Sequence, residues 1–200
     1  MTEANSRVAD HPIDPVFLRR WSPRSLLPEP ITPAELHTLF EAARWAPSSY
    51  NSQPWRFAWS IRGSQSWDNF VGLLNEYNRS WAGNAGALVV VASKQTMLPP
   101  GKDREIPSHS HSFDAGAAWG YLALQAAMSG LVTHAMVGFD MDSAFAKLGL
   151  PAGHRVEAMI AVGRQGAAGA LPEAMRAREA PNGRNAVESF ATEGRFKPEE

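Results

Sequence analysis

Arg20, Ser22 and Arg24 stand two residues apart and offer two guanidiniums and a hydroxyl. Pro23 disfavours helical angles at Ser22, so an extended segment would place all three side chains on one face. Such a trio suits a phosphate and a second electron-rich group, because guanidinium forks bind phosphate bidentately with charge-assisted hydrogen bonds. The plainer alternative is a solvated basic stretch. A second candidate runs from Ala46 to Trp55, Ala-Pro-Ser-Ser-Tyr-Asn-Ser-Gln-Pro-Trp, with two prolines, three serines and two amides. Proline fixes φ and removes a donor, whereas Ser, Asn and Gln hydrogen-bond ligands or cap turns. The segment is either a stiff loop holding something polar or an ordinary helix-to-strand connection. A third candidate, His109, His111 and Asp114, has the spacing of a zinc-hydrolase ligand set. That motif carries a second histidine beside the aspartate, where Ala115 stands here, and Asp114 reads more simply as a helix N-cap.

Composition limits the chemistry further. The net charge of -1, from 19 Lys+Arg against 20 Asp+Glu, provides no global field for nucleic acid or an acidic membrane surface. An anionic ligand would have to be met by local arginines. With no cysteine, disulfides, thiolate metal sites, iron–sulfur clusters and a cysteine nucleophile are excluded, so redox chemistry would need a bound cofactor. Neither a Gly-x-Ser-x-Gly elbow, a phosphate-binding Gly-rich Lys loop nor a Gly-x-Gly-x-x-Gly turn after a strand occurs. Met1 to Asp10 is polar and no apolar run approaches the ~20 residues of a membrane span, which makes the cytoplasm the expected compartment. Seven tryptophans suggest a wet aromatic pocket or an interface, with core packing as their commoner use.

The elements that must position these groups are legible in outline. Two hundred residues suit a single domain, 1–200. Thr32, Pro33 and Glu35 read as N-cap, first helical residue and capping-box acid, and Leu36, Leu39, Phe40 and Ala43 supply the apolar stripe of a helix ending near Ala46. Phe57, Trp59 and Ile61 alternate with polar or small residues as a strand closed by Gly63. Trp67, Phe70, Val71, Leu74 and Tyr77 predict one helix. Ala87 to Ala92 reads as a strand buried on both faces, central in the sheet. After a polar stretch from Ser93 to Ser112, Asp114 opens a small-residue helix ended by Gly130. Leu131 to Val137 and Val156 to Val162 are further strands, with a short helix capped by Asp142 between them. The tail, 165–200, has few periodic apolar residues and is expected to be mobile or to pack on a partner subunit, the latter being favoured.

Several of these segments, in order, resemble the FMN-dependent nitroreductase family. Arg20-Trp21-Ser22-Pro23-Arg24 is similar to its N-terminal Arg-x-Ser-x-Arg/Lys element, and Pro47 to Trp55 to its Pro-Ser-Ser-x-Asn-x-Gln-Pro-Trp element. The likeness continues through Asn78, then Gly130-Leu131 leading to Ala135-Met136-Val137-Gly138-Phe139-Asp140, and Arg184 in the tail, covering about residues 13 to 190. It implies an α+β fold with a mixed, mostly antiparallel sheet flanked by helices, in an intertwined homodimer with FMN at the interface. Arg20 and Ser22, with Trp21 in the same element, would hold the FMN phosphate together with Arg184. Arg178 competes for that role, but Asn185-Ala186-Val187 after Arg184 fits the family's tail better. Arg24 would place charge at the pyrimidine edge of the flavin, stabilising its reduced anion and favouring two-electron reduction.

Ser48, Ser49 and Asn51 would reach a flavin across the interface, with Pro47, Gln53 and Trp55 supporting the loop. Asn78 would lie at the ring and the backbone of Ala135, Met136, Val137 and Gly138 near N5. The implied activity is ping-pong transfer of hydride from NAD(P)H, through the flavin, to nitroaromatic, quinone-like or other conjugated small-molecule acceptors. The alternatives are a specialised metabolite reductase or dehalogenase and, less simply, the zinc hydrolase. Trp21 departs from the smaller or polar residue of many relatives. The stretch Leu98 to His111 has no clear counterpart, so acceptor choice is what it leaves open, with Trp81 as a further pocket residue.

Overall fold

In the computed structural model, which describes residues 6–196, Thr32 opens a helix through a reciprocal capping box. Its Oγ1 accepts from the Glu35 N–H at 3.1 Å, and the Glu35 carboxylate takes the Thr32 N–H at 2.7 Å. The full order is α1 Pro15–Arg19, α2 Pro33–Arg44, β1 Trp55–Ile61, α3 Trp67–Val71, α4 Glu76–Ala82, β2 Ala87–Lys94, the two-residue β3 Thr96–Met97 and β4 Ile106–Pro107, α5 His111–Met128, β5 Val132–Met136, α6 Met141–Lys147, β6 His154–Gly163 and α7 Glu173–Arg176. The main sheet has the order β1-β2-β6-β5, and every pairing in it is antiparallel. β3 and β4 form a separate hairpin.

Alternation in β2 and β6 divides the core in two. Leu88, Val90, Met159 and Ala161 face one side, against Trp67, Phe70, Leu74, Trp81 and Ala144 of α3, α4, α6 and their connections. Val89, Val91, Ile160 and Val162 face the other, against Leu36, Leu39, Ala118, Leu122 and Ala126 of α2 and α5. A strand apolar at every position is what a sheet covered on both faces requires, and β2 is buried from Ala87 to Ser93. The register shifts between Val91 and Ala92, whose partners are Ala158 and Val156, so Glu157 is the extra residue of a bulge. The bulge lets the Glu157 carboxylate accept from Ser112 Oγ at 2.6 Å and from Ser93 Oγ, tying β2 and β6 to the start of α5.

Some boundaries differ from the sequence expectation, each for a local reason. The helix expected over 67–77 is two helices, because Leu73 and Leu74 leave helical geometry to pair with the loop after β5. Asp140 N–H donates to Leu73 O at 2.9 Å, Leu74 bridges Phe139, and Asn75 caps the second helix through Asn78 N–H. Asp114 is not the cap of α5, which starts three residues earlier, at His111. The cap of α6 is Asp140, whose Oδ1 accepts from Ser143 N–H at 2.8 Å, and Asp142 lies inside the first turn.

The tail is corrected in part. Leu171 and Met175 are buried in the core, and Glu179 accepts the backbone N–H groups of Arg24 and Ser25 at 2.8 and 2.7 Å, so the tail to Arg184 packs on its own chain. Phe190 and Phe196 stay exposed, and residues 1–5 and 197–200 of the expected domain and tail lie outside the described residues. Among the described residues no helix is long and apolar enough to cross a membrane.

Candidate functional site

The chain leaves α1 in an extended conformation, Arg20 having φ -65 and ψ 120. It runs beside the end of β6, with Leu27 N–H donating to Arg164 O and Gly166 N–H to Ser25 O, both at 2.9 Å. The Glu179 carboxylate clamps its other edge. The result is a cavity of about 530 Å³ walled by Arg7, Arg20, Arg24, Arg178 and Arg184 together with Trp21, Ser22, His134 and Asn182. Among the described residues no carboxylate lines it. Arg20 donates to Ser22 Oγ at 3.3 Å. Arg7 donates to Arg20 O and Asn182 O, both at 2.7 Å, and Asn182 Oδ1 accepts from Arg7 at 3.1 Å and Arg184 at 3.0 Å. Burial, and then the neighbouring Arg184 charge, hold Arg20 and Arg7 below the usual guanidinium range, with Arg20 adding to the effect on Arg7.

A second cavity, of about 450 Å³, shares Arg20, Ser22 and His134 with the first and is otherwise lined by Phe17, Trp119, Gly120, Ala123, Leu124 and Ala135. His134 therefore stands between a cationic and a largely apolar space. Its Nδ1 lies 3.0 Å from Pro23 O, and its ring centroid lies 4.6 Å from that of Trp81. Burial lowers its pKa, with further lowering from Arg24, against the opposing backbone hydrogen bonds of Pro23 and Ser22. Arg24 itself points its guanidinium carbon at the Trp81 ring, 6.0 Å from the centroid, and its Nε is buried without a hydrogen-bond partner.

The Pro47–Gln53 loop is elsewhere. It packs on the first turns of α5, where the buried Asp114 carboxylate accepts from Ser49 N–H at 3.1 Å and Ser110 Oγ at 2.9 Å. Ser48 Oγ takes the Gln53 N–H at 3.0 Å, and Gln53 Nε2 donates to Asn51 O at 3.2 Å. Tyr50, Asn51 and Gln53 all have positive φ, between 48° and 52°, a costly set of conformations for residues with a Cβ. No residue of the loop lines the arginine cavity. Between Asp114 and Ala123, which borders the second cavity, α5 rises about 14 Å at 1.5 Å per residue.

Of the other expected site residues, Ala135 lines the second cavity, while Met136 is buried and Val137 is exposed just past β5. Gly138 is held by Asn78, whose Nδ2 donates to its carbonyl at 2.9 Å; a Cβ there would sit 2.7 Å from Asn75 Nδ2 and closer still to Asn78 Nδ2. Asn78 Oδ1 accepts the Trp81 indole N–H at 3.1 Å, so its amide is engaged within the fold at both ends. The zinc alternative is overturned. His111 Nδ1 meets Ser93 Oγ at 2.7 Å, Asp114 serves the loop, His109 is exposed, and no metal-binding group of His, Asp or Glu gathers among the described residues. Sequence reasoning missed Arg7, His134 and Glu179. Arg7 sits in an unpatterned segment and Glu179 in a tail without periodicity; His134 alone carried a signal, as a polar residue within a strand.

Comparison with known proteins supplies an independent line. A family model described as "Nitroreductase family" matches residues 18–164. A solved structure described as an oxidoreductase containing FMN is 42% identical, with each chain covered over 100% and a TM-score of 0.93. A nitroreductase family protein from Clostridium difficile 630 shares the fold at 16% identity, with a TM-score of 0.69 over 93% of this chain and 100% of that one. An uncharacterized 15.4 kDa protein in the ask 5′ region of Mycolicibacterium smegmatis is 34% identical over 133 residues, 66% of this chain and 85% of that protein.

Proposed function

Because the chain belongs to the nitroreductase family, we propose that it is an FMN-dependent oxidoreductase. It would pass electrons from NAD(P)H to nitroaromatic, quinone-like or related conjugated acceptors by a ping-pong cycle in the cytoplasm. The observation that carries this reading is the arginine cavity. Among the described residues five guanidiniums converge with no carboxylate on the cavity wall, and the buried Arg24 Nε lacks a partner. A phosphorylated, electron-rich ring system would supply anionic and acceptor groups to Arg20, Arg24 and Arg184. The relative described as an oxidoreductase containing FMN is similar over its whole length, which supports the same choice of cofactor.

Arg20, Ser22 and Arg184, joined by Arg7, would hold the phosphate, and Arg24 would set positive charge against the pyrimidine edge. When bound, FMN supplies two-electron hydride chemistry; the chain's residues bind it, orient it and keep water from one side of it. The apolar second cavity is where a flat acceptor would rest, against Phe17, Trp119 and Leu124.

The reading includes a homodimer. Phe113, Tyr121 and Met128 are 82%, 43% and 60% exposed on one face of α5, and Gly116 and Gly120 look onto open space. A contiguous apolar helix face of this kind supports an interface there. A second copy on it would carry its own Ser48–Ser49–Asn51 loop to the cavity, and the exposed Phe190 and Phe196 of the tail would pack on that copy.

The test is optical. Purified protein should be yellow or take up added FMN, and the flavin band should bleach anaerobically on addition of NADH or NADPH. A colourless preparation that leaves FMN free in solution would sink the proposal.

A further inference from the structure

Phosphate oxygens accept hydrogen bonds, but the sugar-alcohol linker of a flavin mononucleotide carries hydroxyls that must also donate. The cavity is poorly equipped for that. Its five arginines are donors only, and the Trp21 indole likewise. Ser22 Oγ accepts from Arg20 and keeps one lone pair, while Asn182 Oδ1 accepts from both Arg7 and Arg184.

Beside these oxygens His134 adds a ring acceptor, and its Nδ1 contact assigns the two nitrogens. Nδ1 lies 3.0 Å from the Pro23 carbonyl, and a carbonyl can only accept, so the proton is on Nδ1. In the neutral ring Nε2 then carries the lone pair, on a side chain that borders both cavities. Among the described residues nothing on the protein donates to it. The pinning carbonyl belongs to Pro23, which lies between Ser22 at the expected phosphate end and Arg24 at the expected pyrimidine end. A ligand stretched between those two would pass the ring partway along its length.

We propose that His134 is the hydroxyl acceptor of this cavity, its Nε2 taking a hydrogen bond from the polyhydroxylated linker of bound FMN. The inference rests on the proposed flavin reading and adds to it a residue that selects the linker rather than the phosphate or the ring.

The test compares two ligands on the flavin-free full-length protein by quenching of flavin fluorescence. One is FMN; the other carries the same ring and phosphate joined by a plain five-carbon chain without hydroxyls. The wild-type chain should prefer FMN, with His134 contributing about 3- to 10-fold, the ordinary net worth of one hydrogen bond. His134→Phe should lose that contribution while binding the analogue as the wild type does. His134→Gln, which places an amide oxygen near the Nε2 position, should recover much of it. A His134→Phe chain that keeps the full preference overturns the assignment, and so does a wild type that binds both ligands equally, even if a variant fails to fold. If the wild type quenches neither ligand, the flavin reading itself falls.

Discussion

The arginine cavity and the serine-rich loop were the two strongest polar signals in the chain, and folding treats them in opposite ways. In the cavity, like charges are gathered and partly desolvated, and a buried Nε is left without a partner. Around the loop, Ser48 is spent on Gln53, Gln53 on Asn51 and Asp114 on Ser49, and Ser52 Oγ alone among the loop's side-chain atoms is buried without a partner. The cavity is therefore a receptor that is incomplete alone, whereas the loop is a stiff tool whose positive-φ residues are held by packing and internal hydrogen bonds. In one chain they share no wall, which gives physical content to a site built from two copies.

The largest effects should come from breaking the cavity. Arg20→Ala or Arg184→Ala should each weaken FMN binding by about 1.5 to 3 kcal/mol, roughly 10- to 150-fold, the worth of a charge-assisted contact. Melting of the flavin-free protein should be unchanged or slightly raised, because each variant relieves repulsion; a clear loss of stability would recast these arginines as structural.

Asp114→Ala should act on the loop instead. Loss of a carboxylate accepting two hydrogen bonds should destabilise the chain by about 1.5 to 3 kcal/mol and free the Ser49 N–H, seen as faster amide exchange over 48–53. Mixing this variant with Arg20→Ala sharpens the comparison. If cavity and loop meet across the dimer, the mixed dimer holds one intact site and regains one flavin, while each parent homodimer binds poorly. If they act within one chain, mixing restores nothing.

A control away from both regions is Thr32→Ala, which removes the capping box of α2 and should cost about 1 kcal/mol in melting experiments while leaving flavin affinity alone. The smallest effect is a slope. His134 has its pKa lowered by burial from 6.5, so above that pH both folded and unfolded chains are neutral there and stability is full. As pH falls below 6.5 the unfolded chain takes up a proton that the folded one resists, and stability declines toward the lowered folded value. Subtracting His134→Gln melts from wild-type melts between pH 5 and 7.5 should isolate that decline; parallel curves would contradict the buried neutral ring.

Much of this was readable in local pattern. The capping box at Thr32 and Glu35, the strand at β1 and the unbroken apolar run of β2 depend on neighbours within a few residues and stand in the fold, but the alternation in β1 does not sort by burial, since Trp59 is exposed and Ser60 buried. The order of motifs from Arg20 onward pointed to the family that the match over residues 18–164 shows. Where a distant partner intervened, local reasoning failed. Leu74 breaks its helix to meet Phe139, and Asp114 gives up capping to hold Ser49. Arg7, His134 and Glu179 became site residues only because β5, the N-terminal segment and the tail fold over the same extended stretch. Sequence alone thus determined which chemistry the chain carries, since residue type and close spacing are local properties. The tertiary structure decided which groups share a cavity and which are spent on the fold, because hydrogen bonds and like-charge repulsion act across space between residues more than a hundred positions apart.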